Sequence, residues 1–198
     1  MSELLKGYEL HGWLPDTLLS TDDNFMDLTM IITRSSKLKQ GSMACILVNE
    51  ANESEELPRT IDVRDTIISV ANNRPLFSDC DSDIHAEIAA LGEACRNGIS
   101  TQGASAYITM PPCKRCFAAL TVAGIRRIVT RYDPTQKIKE AARKNNIEFI
   151  KIANHAEQMA RINSLIYGDS AGKKRKNCTD EKCNEKIKKN SKSENGNN

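Results

Sequence analysis

Residues 106–124 read AYITMPPCKRCFAALTVAG, and the order of residue types within them decides the fold. Ala106–Met110 is a short β-prone run that goes straight into Pro111-Pro112. Proline is tolerated in the first turn of a helix, where its missing N–H has no partner to lose. A helix is therefore expected from about Cys113 to Ala123, closed by Gly124. Working outward toward the C-terminus, Arg127–Arg131 reads as a strand, Gln136–Asn145 as a helix and Glu148–Ile152 as a further strand. Strands that alternate with helices pair in parallel across helical crossovers.

Upstream, Ile84–Cys95 places Ile84, Ile88, Leu91 and Cys95 at steps of four, three and four, which predicts a helix packed on that apolar stripe. Asn72-Asn73-Arg74-Pro75 is a turn. Before it come two strand-like runs, Met43–Val48 and Thr66–Ala71. The acidic connection between them, with Glu50, Glu53, Glu55, Glu56 and Pro58, predicts a hairpin with a long solvated loop. Phe25, Leu28 and Ile32 recur at helical spacing from Asn24 to about Ser35, with one buried face, and Asp22 or Asp23 is the expected N-cap. Beyond the last strand, His155–Tyr167 is a helix with Met159, Ile162 and Ile166 on one side.

The chemistry resides in His85-Ala86-Glu87 and, 25 residues after the glutamate, Pro112-Cys113-Lys114-Arg115-Cys116. Cys113 and Cys116, three apart in the first turn of a helix, put two sulfurs within reach of one ion. The positive end of that helix favours the thiolate form that binds metal. His85, at the start of another helix, supplies a nitrogen. Three protein ligands leave one position of a tetrahedral zinc open, the pattern of a catalytic site. Glu87 is two residues from His85, about 200° around an ideal helix, so the two converge only at a helix start, where Asp83 is a candidate cap. Glu87 is then placed to take and return protons beside a metal-bound water. Alone, Cys-x-x-Cys also suits a redox pair or a structural zinc, and His-x-Glu a pair of solvated residues. It is their conjunction, each opening a helix, that points to catalysis.

H-x-E followed by P-C-x-x-C is a known signature of zinc deaminases, recognised as such. At these residues the chain resembles the cytidine deaminase-like superfamily, particularly its deoxycytidylate deaminase and tRNA adenosine deaminase branches, from about Asn24 to Ile152. The resemblance implies an α/β fold of three layers, α/β/α, around a five-stranded mixed sheet, with the two zinc-bearing helices side by side on one face. It implies Zn2+ as cofactor, His85, Cys113 and Cys116 as its ligands, Glu87 as proton carrier, and a homo-oligomer or heterodimer. Asn73 is the implied substrate-binding residue, with Ala86 beside it. A turn residue bonded to its own backbone is the other reading of Asn73.

The two branches compete. Asn73-Arg74-Pro75 and His85-Ala86-Glu87-Ile88 look like the tRNA-editing members. Ala123–Val129 and the helix and strand through Ile152 look like the deoxycytidylate members. A free pyrimidine nucleotide, (deoxy)cytidylate, is the favoured small-molecule substrate, because the body is mildly acidic and has few aromatics for stacking an extruded base. Arg74, Lys114 and Arg115 are candidates to meet its phosphate. A tRNA substrate, and a non-catalytic zinc-stabilised binding protein, are the alternatives.

Charge and composition frame these readings. The 198 residues carry 28 Lys and Arg against 26 Asp and Glu. Residues 171–198 hold nine basic and four acidic residues, which leaves 19 and 22 in residues 1–170, an acidic body with a basic tail. The expected division is an N-terminal segment 1–23, a catalytic domain 24–168 and a tail 169–198 too polar to order itself by burial. Lys173-Lys174-Arg175-Lys176 is a candidate nuclear address or tRNA contact. Seven cysteines, an odd number, without an N-terminal apolar segment point to a reducing cytoplasmic setting. No run is apolar enough to span a membrane. Cys45, Cys80, Cys95, Cys178 and Cys183 are expected to be incidental thiols, and His11 and His155 to take no part in catalysis.

Overall fold

The computed structural model describes residues 3–36, 38, 41–49, 63–77 and 81–168. Five helices and five strands alternate: α1 (Thr21–Arg34), β1 (Ala44–Val48), β2 (Ile67–Asn72), α2 (Ala86–Arg96), β3 (Ser105–Ile108), α3 (Lys114–Val122), β4 (Arg127–Thr130), α4 (Gln136–Lys144), β5 (Glu148–Lys151) and α5 (His155–Tyr167). All ten lie where the sequence predicts them, within a few residues. The sheet order is β2-β1-β3-β4-β5. β1 is antiparallel to both β2 and β3, while β3, β4 and β5 run parallel, as the strand-helix-strand alternation demands.

Alternate strand residues feed two cores, one on each face, and so make three layers. On one face Ile46, Tyr107 and Val129 meet α1 and α5 through Phe25, Ile31 and Ile162. On the other, Leu47, Ala106 and Ile128 meet α2, α3 and α4 through Ala90, Leu120 and Ile138.

α1 departs from expectation. Residues 24–33 are buried without a break, so the helix has no solvent face along that stretch. The cause is the N-terminal segment, whose Leu5 and Trp13 join the same core, together with α5, from which Arg161 forks onto Asp27 at 2.8 and 3.0 Å. The N-cap also differs. Ser20 holds that place and accepts the Asp23 N–H, while Asp22 and Asp23 sit in the first turn and favour the positive helix end. Asp22 is engaged elsewhere: Arg127 forks onto its carboxylate at 2.8 and 2.5 Å, and the Tyr107 hydroxyl donates to it at 2.7 Å.

The buried stripe of α2 is also rotated from the predicted one. Ala86, Glu87, Ala89, Ala90 and Ala94 face inward and Ile84 and Leu91 pack half-buried against the same core, as predicted, whereas Ile88 is 40 % exposed and Cys95 is exposed. Alanines let the helix lie close against β1 and β2, with Ser69 donating to the Ala90 carbonyl at 2.7 Å, and the larger side chains are displaced to the flank. The acidic connection 50–62, Cys80, and the predictions made for residues 169–198, with Lys173–Lys176, Cys178 and Cys183, lie outside the described residues. Among the described residues no helix is long and apolar enough to cross a membrane.

Candidate metal centre and active site

Both ligand-bearing helices begin in the same way. His85 is the N-cap of α2 with φ −68° and ψ 150°, and Cys113 is the N-cap of α3 with φ −68° and ψ 168°. An extended N-cap turns its side chain across the helix mouth, so residues two or three apart can face one point. That is how His85 and Glu87 escape the angular separation of an ideal helix. Asp83 does not cap α2; its carboxylate accepts the Leu76 and Phe77 N–H groups instead, at 2.8 and 2.9 Å. Cys113 caps α3 through its sulfur, which accepts the Cys116 N–H at 3.5 Å.

The imidazole Nδ1 of His85 lies 3.3 Å from the Cys116 sulfur and 3.8 Å from the Cys113 sulfur. The three ligand atoms are all within 4.8 Å of one another, and no other such group of His, Cys, Asp or Glu occurs among the described residues. Zinc bonds of about 2.3 Å to sulfur and about 2.0 Å to nitrogen, meeting at a tetrahedral angle, separate the two ligand atoms by about 3.5 Å. The observed distances bracket that value, so the three side chains fit one zinc ion.

Glu87 is 5 % exposed. Burial holds the carboxyl above the usual glutamate range, partly offset by the residue's own backbone N–H, by His85 and by Cys116. Burial likewise raises the Cys116 thiol, with Glu87 and Cys113 adding to the effect. The Cys116 sulfur and the Glu87 carboxyl thus compete for negative charge in a desolvated place, a conflict that a dication removes. Cys45, fully buried on β1 beneath them, is pushed up strongly by burial and then by Glu87 and Cys116; it stands outside the ligand cluster.

A cavity of about 270 Å³ opens over the cluster, lined by Asn73, Ser82, Ala86, Glu87, Met110 and Cys113 among others. A larger one of about 470 Å³, at the far ends of α2 and α3 beside Leu91, Cys95 and Gln102, contains neither an acid nor an imidazole, so the smaller cavity is the chemically competent one. Of the residues the sequence singles out, His85, Ala86, Glu87, Cys113 and Asn73 all reach the smaller cavity, and Cys116 joins them through its sulfur contact. Lys114 and Arg115, in the first turn of α3, are exposed, as is Arg74. Ser82 was not foreseen. It lies in a polar loop without periodicity, and only the bridge between Arg74 and Ile84 brings it opposite Asn73.

The description "cytidine and deoxycytidylate deaminase zinc-binding region" matches residues 19–132. A deoxycytidylate deaminase of Enterobacteria phage T2 is 37 % identical over 67 residues, covering 33 % of this chain and 36 % of the relative. The chain thus matches little more than a third of the length of that relative. A tRNA-specific adenosine deaminase of Agrobacterium fabrum is 31 % identical over 111 residues, 54 % of this chain and 70 % of the relative. Among solved structures, the dCMP deaminase of cyanophage S-TIM5 in apo form superposes with a TM-score of 0.53 at 18 % identity, over 66 % of this chain and 96 % of that one. Its complex with dCMP and dUMP gives 0.52 at 17 % identity, over 65 % and 93 %. At such identities the likeness is one of fold. The profile spans more than half of the chain and contains every residue of the cluster, and the chain belongs to the family of cytidine and deoxycytidylate deaminases whose shared region binds zinc.

Proposed function

We propose that the protein hydrolyses the exocyclic amine of a pyrimidine nucleotide, converting (deoxy)cytidylate to (deoxy)uridylate and ammonia. His85, Cys113 and Cys116 hold the zinc, and Glu87 carries the protons. The observation that supports this most is a buried carboxyl lining the cavity that opens over the three ligand atoms. A site that kept zinc only for stability would have no use for an acid there, which speaks against a purely structural role.

Zinc, when bound, supplies the Lewis acidity that makes water nucleophilic at neutral pH. Glu87 accepts the proton that the water gives up and hands it to the ring nitrogen next to the amine-bearing carbon. The water oxygen bonds to that carbon, Glu87 takes up the one proton still on that oxygen, and the carbon–nitrogen bond breaks as Glu87 delivers it to the leaving amine, which leaves a ring carbonyl and ammonia. Ala86, fully buried at the first helical position, presents a backbone N–H that the helix leaves unpaired. Asn73 stands on the opposite wall.

The phage relatives and the S-TIM5 complex with dCMP and dUMP favour a free nucleotide. A second reading, a tRNA adenosine deaminase or the catalytic member of a heterodimer, has the Agrobacterium relative over a longer stretch and the basic tail in its favour. Ammonia release from dCMP, CMP, cytidine and tRNA separates the two. Turnover of the mononucleotides without RNA is expected. Activity on tRNA with none on any nucleotide would replace this reading by the second.

A further inference from the structure

We infer that Ser82, and not Asn73, presents the hydrogen-bond donor that meets the substrate on this wall of the cavity, with Asn73 as the positioning residue behind it. The inference rests on the nucleotide-deaminase reading and names a contact within it.

Asn73 is 3 % exposed, and its amide is spent inside the protein. An amide nitrogen has two hydrogens to give. One goes to the Gly41 carbonyl at 2.9 Å and the other to the Ser82 hydroxyl oxygen at 2.6 Å. The amide oxygen accepts the Met43 N–H at 2.8 Å. These partners also fix which end is nitrogen, because the Met43 N–H needs an acceptor and the Gly41 carbonyl a donor. Asn73 has no hydrogen left to donate.

Ser82 is in the opposite condition. Its oxygen receives the Asn73 hydrogen, and no group among the described residues accepts the hydroxyl's own hydrogen. The side chain is half-buried and lines the cavity that His85 and Glu87 also line. The residues next to it in the chain, Asp83 and Ile84, are tied to Arg74, Leu76 and Phe77. Arg74 and Ile84 exchange backbone hydrogen bonds of 3.0 Å each, and the Asp83 carboxylate takes the Leu76 and Phe77 N–H groups. A donor polarised by the hydrogen bond it receives and without an acceptor among the described residues suits an acceptor oxygen on the bound nucleotide. Such an oxygen is offered by a sugar hydroxyl or by the carbonyl of the pyrimidine ring.

The test compares Ser82→Ala, Ser82→Thr, Asn73→Ala and the double variant S82A/N73A on dCMP and on its 2′,3′-dideoxy analogue, with dUMP binding and melting temperature measured for each. Ser82→Ala is expected to raise KM for dCMP and weaken dUMP binding about three- to tenfold, the loss of one neutral hydrogen bond, while kcat stays within about twofold. Ser82→Thr restores both. S82A/N73A is expected to bind no worse than Asn73→Ala, because the asparagine acts through the serine. A penalty that vanishes on the dideoxy analogue assigns the acceptor to the sugar, and one that persists assigns it to the base; either outcome supports the contact. If the wild type turns over dCMP but Ser82→Ala leaves KM and dUMP affinity unchanged, or only lowers the melting temperature, the inference is overturned and the nucleotide reading stands. A wild type that neither deaminates dCMP nor binds dUMP overturns both.

Discussion

Cys113 has two tasks for one sulfur. It faces the His85 imidazole as a prospective zinc ligand, and it closes the first turn of α3 by accepting the Cys116 N–H. The two tasks can be separated by substitution. Serine keeps an oxygen acceptor at the N-cap and loses the soft metal ligand, whereas alanine loses both. Cys113→Ser and Cys113→Ala are therefore both expected to purify without zinc, and urea denaturation of the zinc-free proteins should find the serine variant more stable by about 1 kcal/mol. Equal stability would mean that the sulfur does not act as a cap. At this scale the cluster of His85, Cys113 and Cys116, with Glu87 beside it, was legible in the sequence because residue type and order alone mark it. Ser82 was not, since the role proposed for it depends on Asn73, Gly41 and Met43, which two separate loops bring together.

The elements were legible where periodicity or a breaker marked them: Pro111-Pro112 before α3, Gly124 after it, and the strand-helix alternation beyond. Faces and caps were less so. A stripe of Ile84, Ile88, Leu91 and Cys95 satisfies a helical pattern, yet the sheet selects the alanines of α2 because only they allow the backbone to approach β1 and β2. Likewise α1 looked amphipathic because the segment that covers its outer face, with Leu5 and Trp13, has no periodicity of its own. The first turn of α3 carries a further consequence. Lys114 and Arg115 place positive charge at the positive end of a helix, which is unfavourable, and neither makes an ion pair among the described residues. Both are exposed at the end of α3 whose N-cap, Cys113, lines the cavity, although neither lines it. Replacing both by glutamine is expected to raise KM for dCMP about three- to tenfold and to leave KM for cytidine unchanged, with stability equal or higher by up to about 1 kcal/mol. A parallel rise for cytidine would remove these cations from phosphate binding.

At the scale of the molecule, the chemistry sits where the parallel half of the sheet ends. β3 leads out through Met110 and Pro111 to Cys113, and the antiparallel hairpin of β1 and β2 supplies Met43 and Asn73 on the other side of the cavity. α2 and α3 meet there with their N-termini together, and a zinc ion held between His85 and the two cysteines would tie both helix starts to one point. The claim on which everything else depends is that the metal and the acid at this meeting point have separate duties. The most direct measurement is zinc content and ammonia release from dCMP for purified Glu87→Gln beside the wild type. The variant is predicted to retain one zinc per chain, like the wild type, and to lose at least about 10³-fold in turnover. A zinc-loaded variant that turns over at the wild-type rate would contradict the account.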